Sequence, residues 1–424
     1  MIFPVRFRIV FMSFLAVFIC FIDRVNISVA IIPMQAQFGW SEFQVGIILG
    51  SFYFGYIISM TFSGFLADKY GGKIVLAYGL LFWSLFTLIT PAFAYSGFFF
   101  LILIRILMGL GEGVTFPAWH SIYARWIPFE ERTRAIAITN SGISFGSVFG
   151  LVVTAMIIEG YSWEWVFYSF GALGILLFFF WQKVVTSYPE DHKSISNEEL
   201  EYIKAKAPAN SAAPSIPFLE VIKNRPFIAI VVATFCNNWA LFTFLSYLPK
   251  FMSSSKEMGG LELELGSNLF ILLILVPSVV SVFALILGGI SADMLIKRGY
   301  KTIKVRKFFN SLGFFGAALF LFLLPFQSSI ILVITLLCLT NLCSGLGAGG
   351  FGVNHADLGP KYTGSLFGIS GSLGMVAAVL SPIIAGIILQ ATNSWTLIFH
   401  LCSGFLIFGG IYYLLFASAD KQFD

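Results

Sequence analysis

Residues 98–120 read FFFLILIRILMGLGEGVTFPAWH, an apolar run interrupted by Arg105 and Glu112. Residues 11–33, FMSFLAVFICFIDRVNISVAIIP, repeat the pattern with Asp23 and Arg24. A bilayer is crossed by about 20 mostly apolar residues, so each run is long enough to span one. An ionisable group at membrane depth is costly, so it normally faces a polar cavity and has a partner. Arg105 and Glu112 are two helical turns apart on one face, about 10 Å from each other. Two cations and two acids inside a helix bundle point to a site for an anion that moves with protons.

The rest of the chain has the same character. It has 424 residues, 58% hydrophobic and 11% charged, with a mean hydropathy of +0.90. A soluble domain carries about 25% charged residues, so this composition is that of an integral membrane protein. Twelve apolar segments fall near residues 9–32, 44–66, 74–94, 98–120, 134–158, 164–184, 226–250, 266–292, 307–326, 330–354, 365–388 and 395–417. With both termini in the cytoplasm, Lys250 and Lys256 fall outside and Arg24 and Arg105 within the membrane. All the remaining Lys and Arg then lie on the cytoplasmic side, as the positive-inside rule requires. The first segment is too long and too charged for a cleaved signal peptide.

Several classes of function are excluded. The five cysteines, Cys20, Cys236, Cys338, Cys343 and Cys402, lie in apolar segments without metal-ligand spacing, so no metal or cofactor is expected. There is no Gly-rich phosphate loop, which argues against an ATP-driven pump. Basic residues are scattered among short loops, so nucleic-acid binding has no support. No HExxH, nucleophile elbow or metal cluster suggests an enzyme.

The chain also repeats itself. Gly64-Phe-Leu-Ala-Asp68-Lys69-Tyr-Gly71-Gly72-Lys73 follows the second segment, and Gly289-Ile-Ser-Ala-Asp293 with Lys297 and Arg298 follows the eighth. A GxxxD at the same point of each half marks an internal duplication. The first loop resembles the signature of the major facilitator superfamily between its second and third helices. That resemblance implies an all-α membrane protein of 12 transmembrane helices in two six-helix bundles, with a substrate between the halves. Asp68, Lys69, Lys73 and Asp293 are then expected to gate the cytoplasmic side, or else to be solvated turn residues with topogenic charges.

The expected organisation is an N-terminal bundle over residues 1–184, a cytoplasmic linker over 185–225 and a C-terminal bundle over 226–424. In the linker, Ser196-Asn-Glu-Glu199 reads as a capping box opening a short helix through about Lys206. Residues 207–217, rich in Ala, Pro and Ser, read as a flexible connection. Residues 218–224 suggest an interfacial helix. Gly142, Gly146 and Gly150 in the fifth segment read as close helix packing.

The polar residues of segments 1, 2, 4, 7 and 10 carry a second resemblance. The run from Glu112 to Arg134, with GEGVTFP, His120 and Glu131-Arg132, and the Asn354-His355-Ala-Asp357 of segment 10 resemble the anion:cation symporter family. Sialin, the vesicular glutamate transporters and bacterial sugar-acid transporters belong to it. The resemblance runs from about Phe11 to Gly386. It implies that Arg24 meets the substrate carboxylate, that Arg105 matches the fourth-helix arginine, and that Glu112 is tied to proton coupling. His120 matches a histidine near the cytoplasmic end of that helix. Asp23 is similar to the bacterial sugar-acid members. Asn237 stands where the glutamate transporters have an arginine, and Leu49 where they have a histidine, so a sugar acid or related monocarboxylate is favoured over glutamate.

Physical chemistry supports the same residues. Arginine offers a planar fork of donors that matches a carboxylate and stays charged. A carboxyl in low dielectric holds its proton more readily and a nearby guanidinium opposes this, a balance that suits proton coupling. When the acids are ionised they neutralise the arginines; when protonated they release them to the anion. At an effective dielectric near 20, a charge pair at 4 Å is worth about 4 kcal/mol, enough to gate binding. Arg105 and Glu112 could instead form a purely structural pair. Adjacent residues point about 100° apart, so Asp23 either shares the cavity with Arg24 or faces a neighbouring helix. His120 fits a gate hydrogen bond as well as a proton relay.

Tyr53, Tyr56, Asn237, Asn238, Asn354 and Ser370 are candidates for hydrogen bonds to substrate hydroxyls, or for interhelical bonds. The expected function is a proton-coupled symporter of a small organic anion, working as a monomer by alternating access. An exporter or exchanger on the same fold is the alternative, and a non-transporting sensor a more distant one. Short loops and Asp23 suggest a bacterial inner membrane.

Overall fold

The computed structural model describes residues 4–206 and 218–423. Among the described residues the chain is helical and has no strands. Twelve helices are long and apolar enough to cross a membrane. In chain order, spans 1 to 6 are Val5–Phe38, Glu42–Tyr70, Gly72–Ser96, Phe98–Trp126, Phe129–Gly160 and Trp163–Val184. Spans 7 to 12 are Arg225–Ser253, Asn268–Lys297, Thr302–Phe326, Ile330–Leu358, Pro360–Thr392 and Thr396–Phe416. Each overlaps one of the twelve apolar segments.

Span 4 is not the uninterrupted helix its apolar run suggests. It runs as Phe98–Glu112, turns at Gly113 and Val114, and resumes as Thr115–Trp126. The physical cause is Pro117, which has no N–H to offer the carbonyl of Gly113 four residues earlier. Glu112 therefore sits at the end of a helical piece rather than in mid-helix. Span 10 is also broken, here in a glycine-rich run without a proline. After Ile330–Leu346 come short 3-10 turns at Gly347–Gly349 and Phe351–Val353, then Asn354–Leu358.

Contacts divide the chain into two compact units. The first is Met1–Gly39 with Ser51–Ala212, and the second is Trp40–Gly50 with Ala213–Asp424. In the first unit, span 1 packs on spans 5 and 6, and span 3 on spans 4 and 6. In the second unit, span 7 packs on spans 11 and 12, and span 9 on spans 10 and 12. The pairings are the same when six is added to each span number, as an internal duplication demands.

Gly142, Gly146 and Gly150 do what their spacing suggests. A Cβ there would lie 2.9 Å from the carbonyl oxygen of Phe14, 2.3 Å from that of Phe18 and 3.0 Å from the Cα of Ile22. Span 5 can therefore approach span 1 only where side chains are missing. The first unit buries Trp83, Trp119, Trp126 and Trp181 in its core, and the second buries Phe227 and Tyr413. Phe65, Phe99, Phe283 and Leu415 are exposed, as lipid-facing side chains of a spanning bundle should be.

The linker departs from expectation at one residue. The helix Asn197–Lys206 forms, and Ser196 Oγ accepts from the Glu199 amide at 3.1 Å, half of a capping box. The Glu199 carboxylate does not return to its own helix. It accepts instead from the amides of Val5 at 3.0 Å and Arg6 at 3.1 Å, at the start of span 1. Residues 207–217 lie outside the described residues, and residues Phe218–Val221 form one short turn of helix.

Candidate functional site

Cys20 and Arg24 are one turn apart on span 1 and lie on the same face. Glu112, at the end of the first piece of span 4, meets both. Arg24 Nη2 donates to Glu112 Oε2 at 3.1 Å, and Nε reaches the same oxygen at 3.4 Å. Cys20 Sγ lies 3.1 Å from that oxygen. The partner of Glu112 is therefore Arg24, not Arg105, which corrects the pairing that the sequence suggests. Two turns along one helix hold two side chains too far apart to touch, whereas a neighbouring helix does not.

The arginine is also held by aromatic faces. The Arg24 guanidinium carbon sits 4.6 Å from the Tyr56 ring centre, 4.4 Å from that of Phe21 and 5.5 Å from that of Phe52. Arg105 lies 4.9 Å from the Phe52 ring, with Nη1 3.9 Å from Met108 Sδ. Both guanidinium groups thus lie within cation–π distance of the Phe52 ring, which attracts each of them. Tyr53 packs edge-on to Phe52, with ring centres 5.1 Å apart.

Both pair members are removed from water, with Arg24 5% exposed and Glu112 0%. Yet the pair is incomplete. Glu112 Oε1, Arg105 Nε, Thr115 Oγ1 and both amide atoms of Asn26 are buried without a hydrogen-bond partner among the described residues. Buried polar groups are rarely left so, and the bare Glu112 Oε1, with Arg105 acting on the same carboxylate, marks a place that accepts a further polar group. Arg105 makes no ion pair among the described residues, which leaves it to act as a second cation. A purely structural Arg105–Glu112 pair is not present.

Asp23 takes the second of the two directions open to it. Its Oδ2 accepts from Trp83 Nε1 of span 3 at 3.1 Å, and no cation lies within ion-pair distance among the described residues. The two carboxylates therefore have different hydrogen-bond partners, Trp83 for Asp23 and Arg24 with Cys20 for Glu112. Cys20, Asn26, Trp83 and Thr115 were not among the expected site residues. The helical spacing of Cys20 from Arg24 and of Asn26 from Asp23 is the signal that could have found the first two. Nothing in the sequence marks Trp83.

The remaining candidates lie elsewhere. Asn237 and Asn238 are half-buried in the second unit and make no hydrogen bond among the described residues. Asn354 and Ser370 each make a side-chain bond within the second unit, and Asn354 Oδ1 is buried without a partner among the described residues. Asn354 Nδ2 donates to the Tyr413 hydroxyl at 2.8 Å, and Ser370 Oγ is 2.7 Å from His355 Nε2. They stand beside Arg306, which holds Asp357 through Nε at 2.8 Å and Nη2 at 3.3 Å and the Gly349 carbonyl through Nη1 at 3.1 Å. His120 is exposed and stacked on Trp119 at 3.7 Å, and makes no hydrogen bond among the described residues. Asp68, Lys69 and Asp293 are exposed and form no ion pair among the described residues, and Lys73 is half-buried.

Twelve apolar spans in two units of matching packing, with a buried arginine–carboxylate pair in the first left open to another polar group, are the features of a membrane transporter. Comparison with known proteins gives the family. The Major Facilitator Superfamily profile matches residues 13–375. The chain is 36% identical to the chloroplastic ascorbate transporter of Arabidopsis thaliana over 422 residues, covering 100% of this chain and 76% of the relative. It is 33% identical to human sialin over 452 residues, covering 98% of this chain and 90% of sialin. Among solved structures, a bacterial homologue of the human lysosomal transporter Spinster, in an inward-facing and unoccupied conformation, superposes with a TM-score of 0.75. That match has 16% identity and covers 97% of both chains. The chain belongs to the Major Facilitator Superfamily, in its anion:cation symporter family. It is a multi-pass membrane transporter of anions, not an enzyme.

Proposed function

We propose that this protein is a proton-coupled symporter of a small organic monoanion, a sugar acid or related hydroxy acid, working by alternating access. One observation carries the reading. Arg24 is neutralised by a single oxygen of Glu112, while its guanidinium is cradled by Tyr56 and Phe21. Such a pair can be opened by one proton. Protonated Glu112 no longer competes, and the freed guanidinium offers its fork to the carboxylate of the substrate. Arg105 supplies a second positive field, and Tyr53 and Tyr56 offer hydroxyls to the polar end of the anion. Asp23, lodged against Trp83, serves as a second proton acceptor.

Further assignments complete the proposal. The bundles extend over residues 1–184 and 226–424, with both termini and the 185–225 linker in the cytoplasm. Asp68, Lys69, Lys73 and Asp293 gate that side, and His120 lies on it. Asn237, Asn238, Asn354 and Ser370 belong to the substrate path in states where their present bonds open. The working form is a monomer, and the membrane is a bacterial inner membrane.

Uptake into proteoliposomes tests this, using galactonate, glucuronate, ascorbate, sialic acid and glutamate with and without an inward proton gradient. Ascorbate joins the panel because a relative is named for it. The expected result is gradient-driven accumulation of at least one hydroxylated acid, lost on Arg24→Ala. Exchange indifferent to the gradient makes the protein an antiporter instead. Accumulation driven by sodium at equal pH replaces the proton in the reading.

A further inference from the structure

Glu112 is bound asymmetrically. Oε2 meets three donors, Arg24 Nη2 at 3.1 Å, Arg24 Nε at 3.4 Å and Cys20 Sγ at 3.1 Å. Oε1 is buried and meets none among the described residues. The groups that act on this carboxylate are Arg24, Cys20 and Asp23 from span 1, Tyr53 and Tyr56 from span 2, and Arg105 from its own span. Only two of them touch it. Cys20 is wholly buried and has no disulfide partner.

We propose that Cys20 is a positioning residue for Glu112: its thiol donates to Oε2 and leaves Oε1 as the oxygen that takes the proton. The assignment rests on the coupling role read for Glu112 above. A carboxylate accepts only, so the S–H must point at Oε2, and the sulfur in turn accepts from Arg24 Nη2 at 3.6 Å. Protonation adds a hydrogen at Oε1 and breaks no bond. The two arginine donors then leave Oε2 for the incoming carboxylate through a turn of the long Arg24 side chain, while the short Cys20 side chain has no such reach and its thiol stays on Oε2. Cys20 is thus the one partner Glu112 keeps in both halves of the cycle. It holds the acid aimed at Arg24 so that the ionised form can re-form the pair when the proton leaves. Removing the thiol removes a donor that favours the ionised carboxylate, so protonation then occurs at higher pH.

Infrared spectra of the full-length protein in lipid, titrated across pH, read the protonated carboxyl band that Glu112→Gln removes. Cys20→Ala is expected to raise the midpoint of that band by about half a pH unit or more, the effect of losing one weak donor to a charged group. Cys20→Ser keeps a donor of the same placement and is expected to stay close to the wild type. An unchanged midpoint in Cys20→Ala, or equal shifts in the alanine and serine variants, overturns the assignment. The readout needs no transported substrate. If no acid in the uptake panel is carried, the symporter reading fails while the infrared titration still decides the role of Cys20.

Discussion

In the first unit, Gly109 and Gly113 bring span 4 against Phe52 and Tyr56 of span 2; in the second, Gly345 and Gly349 bring span 10 against Ala284 and Ala292 of span 8. A Cβ at Gly109 would lie 2.0 Å from the Phe52 carbonyl oxygen, and one at Gly345 would lie 2.6 Å from Ala284 Cβ. The strips are Gly109-Leu-Gly-Glu-Gly113 and Gly345-Leu-Gly-Ala-Gly349, equal except that Ala348 stands where the first has Glu112. Four residues before each strip stand Arg105 and Asn341. Asn341 Nδ2 bonds the Leu337 carbonyl of its own helix at 2.9 Å, whereas Arg105 Nε has no partner among the described residues. The glycines are shared scaffold, and the charges belong to one copy only.

The buried arginines of the two units teach the same lesson. Arg306 meets both oxygens of Asp357 and a backbone carbonyl, a fork filled by the protein itself. Arg24 shares one oxygen and leaves the other bare. A pair complete in its own unit is a structural tie. An incomplete pair in a water-free place is one that a ligand or a proton can finish.

The largest effect expected from this contrast is on coupling. Glu112→Gln removes the charge that distinguishes the first strip while keeping its shape. Proton-driven accumulation should be lost, and exchange of preloaded anion should persist without dependence on pH. Wild-type response to the gradient in this variant would return Glu112 to the structural role of its neighbouring glycines.

A smaller effect follows from making the first unit resemble the second at the position four residues earlier. Arg105→Asn should weaken anion affinity about tenfold, the loss of about 1.4 kcal/mol of favourable field. Asn341→Ala, in the copy that satisfies itself within its helix, should leave affinity within about twofold, as expected where no shared network is broken. Concentration dependence of uptake for both variants decides it. Equal losses would mean that the asymmetry is sequence drift rather than function.

Much of this architecture is legible in the amino-acid sequence. Apolar runs of spanning length fix twelve helices because the bilayer leaves few alternatives. Charges at membrane depth expose Arg24, Arg105, Asp23 and Glu112, since such residues need a reason to be there. What periodicity cannot tell is who faces whom across helices. It places Arg105 and Glu112 on one face but is silent about Arg24 on another span, so the actual pair escapes it. For the same reason the sequence does not show the bonds of Asn354 to Tyr413 and of Ser370 to His355, which packing within the second unit makes. Pro117 is visible in the run, but whether it kinks or ends a helix depends on the neighbours that receive the freed carbonyl.

The smallest effect concerns the linker, where the comparison is between the start of span 1 and the helix that reaches it. Span 1 begins after Pro4, which offers no side-chain acceptor to the free amides of the first turn. Glu199 supplies one from outside, accepting from the amides of Val5 and Arg6 and from Arg6 Nη1 at 3.0 Å. Arg6 also holds Glu131 of span 5 through Nε at 2.8 Å. A carboxylate at a helix N-terminus is favoured by the dipole and by the unsatisfied amides together. Glu199→Gln keeps one acceptor and loses the charge, so it should cost about 1 kcal/mol of stability. Thermal unfolding of the purified protein would show this as a slightly lower Tm, with anion uptake unchanged. A change in coupling instead would mean that the linker acts on the site through span 1, since Arg6 and Arg24 share that helix.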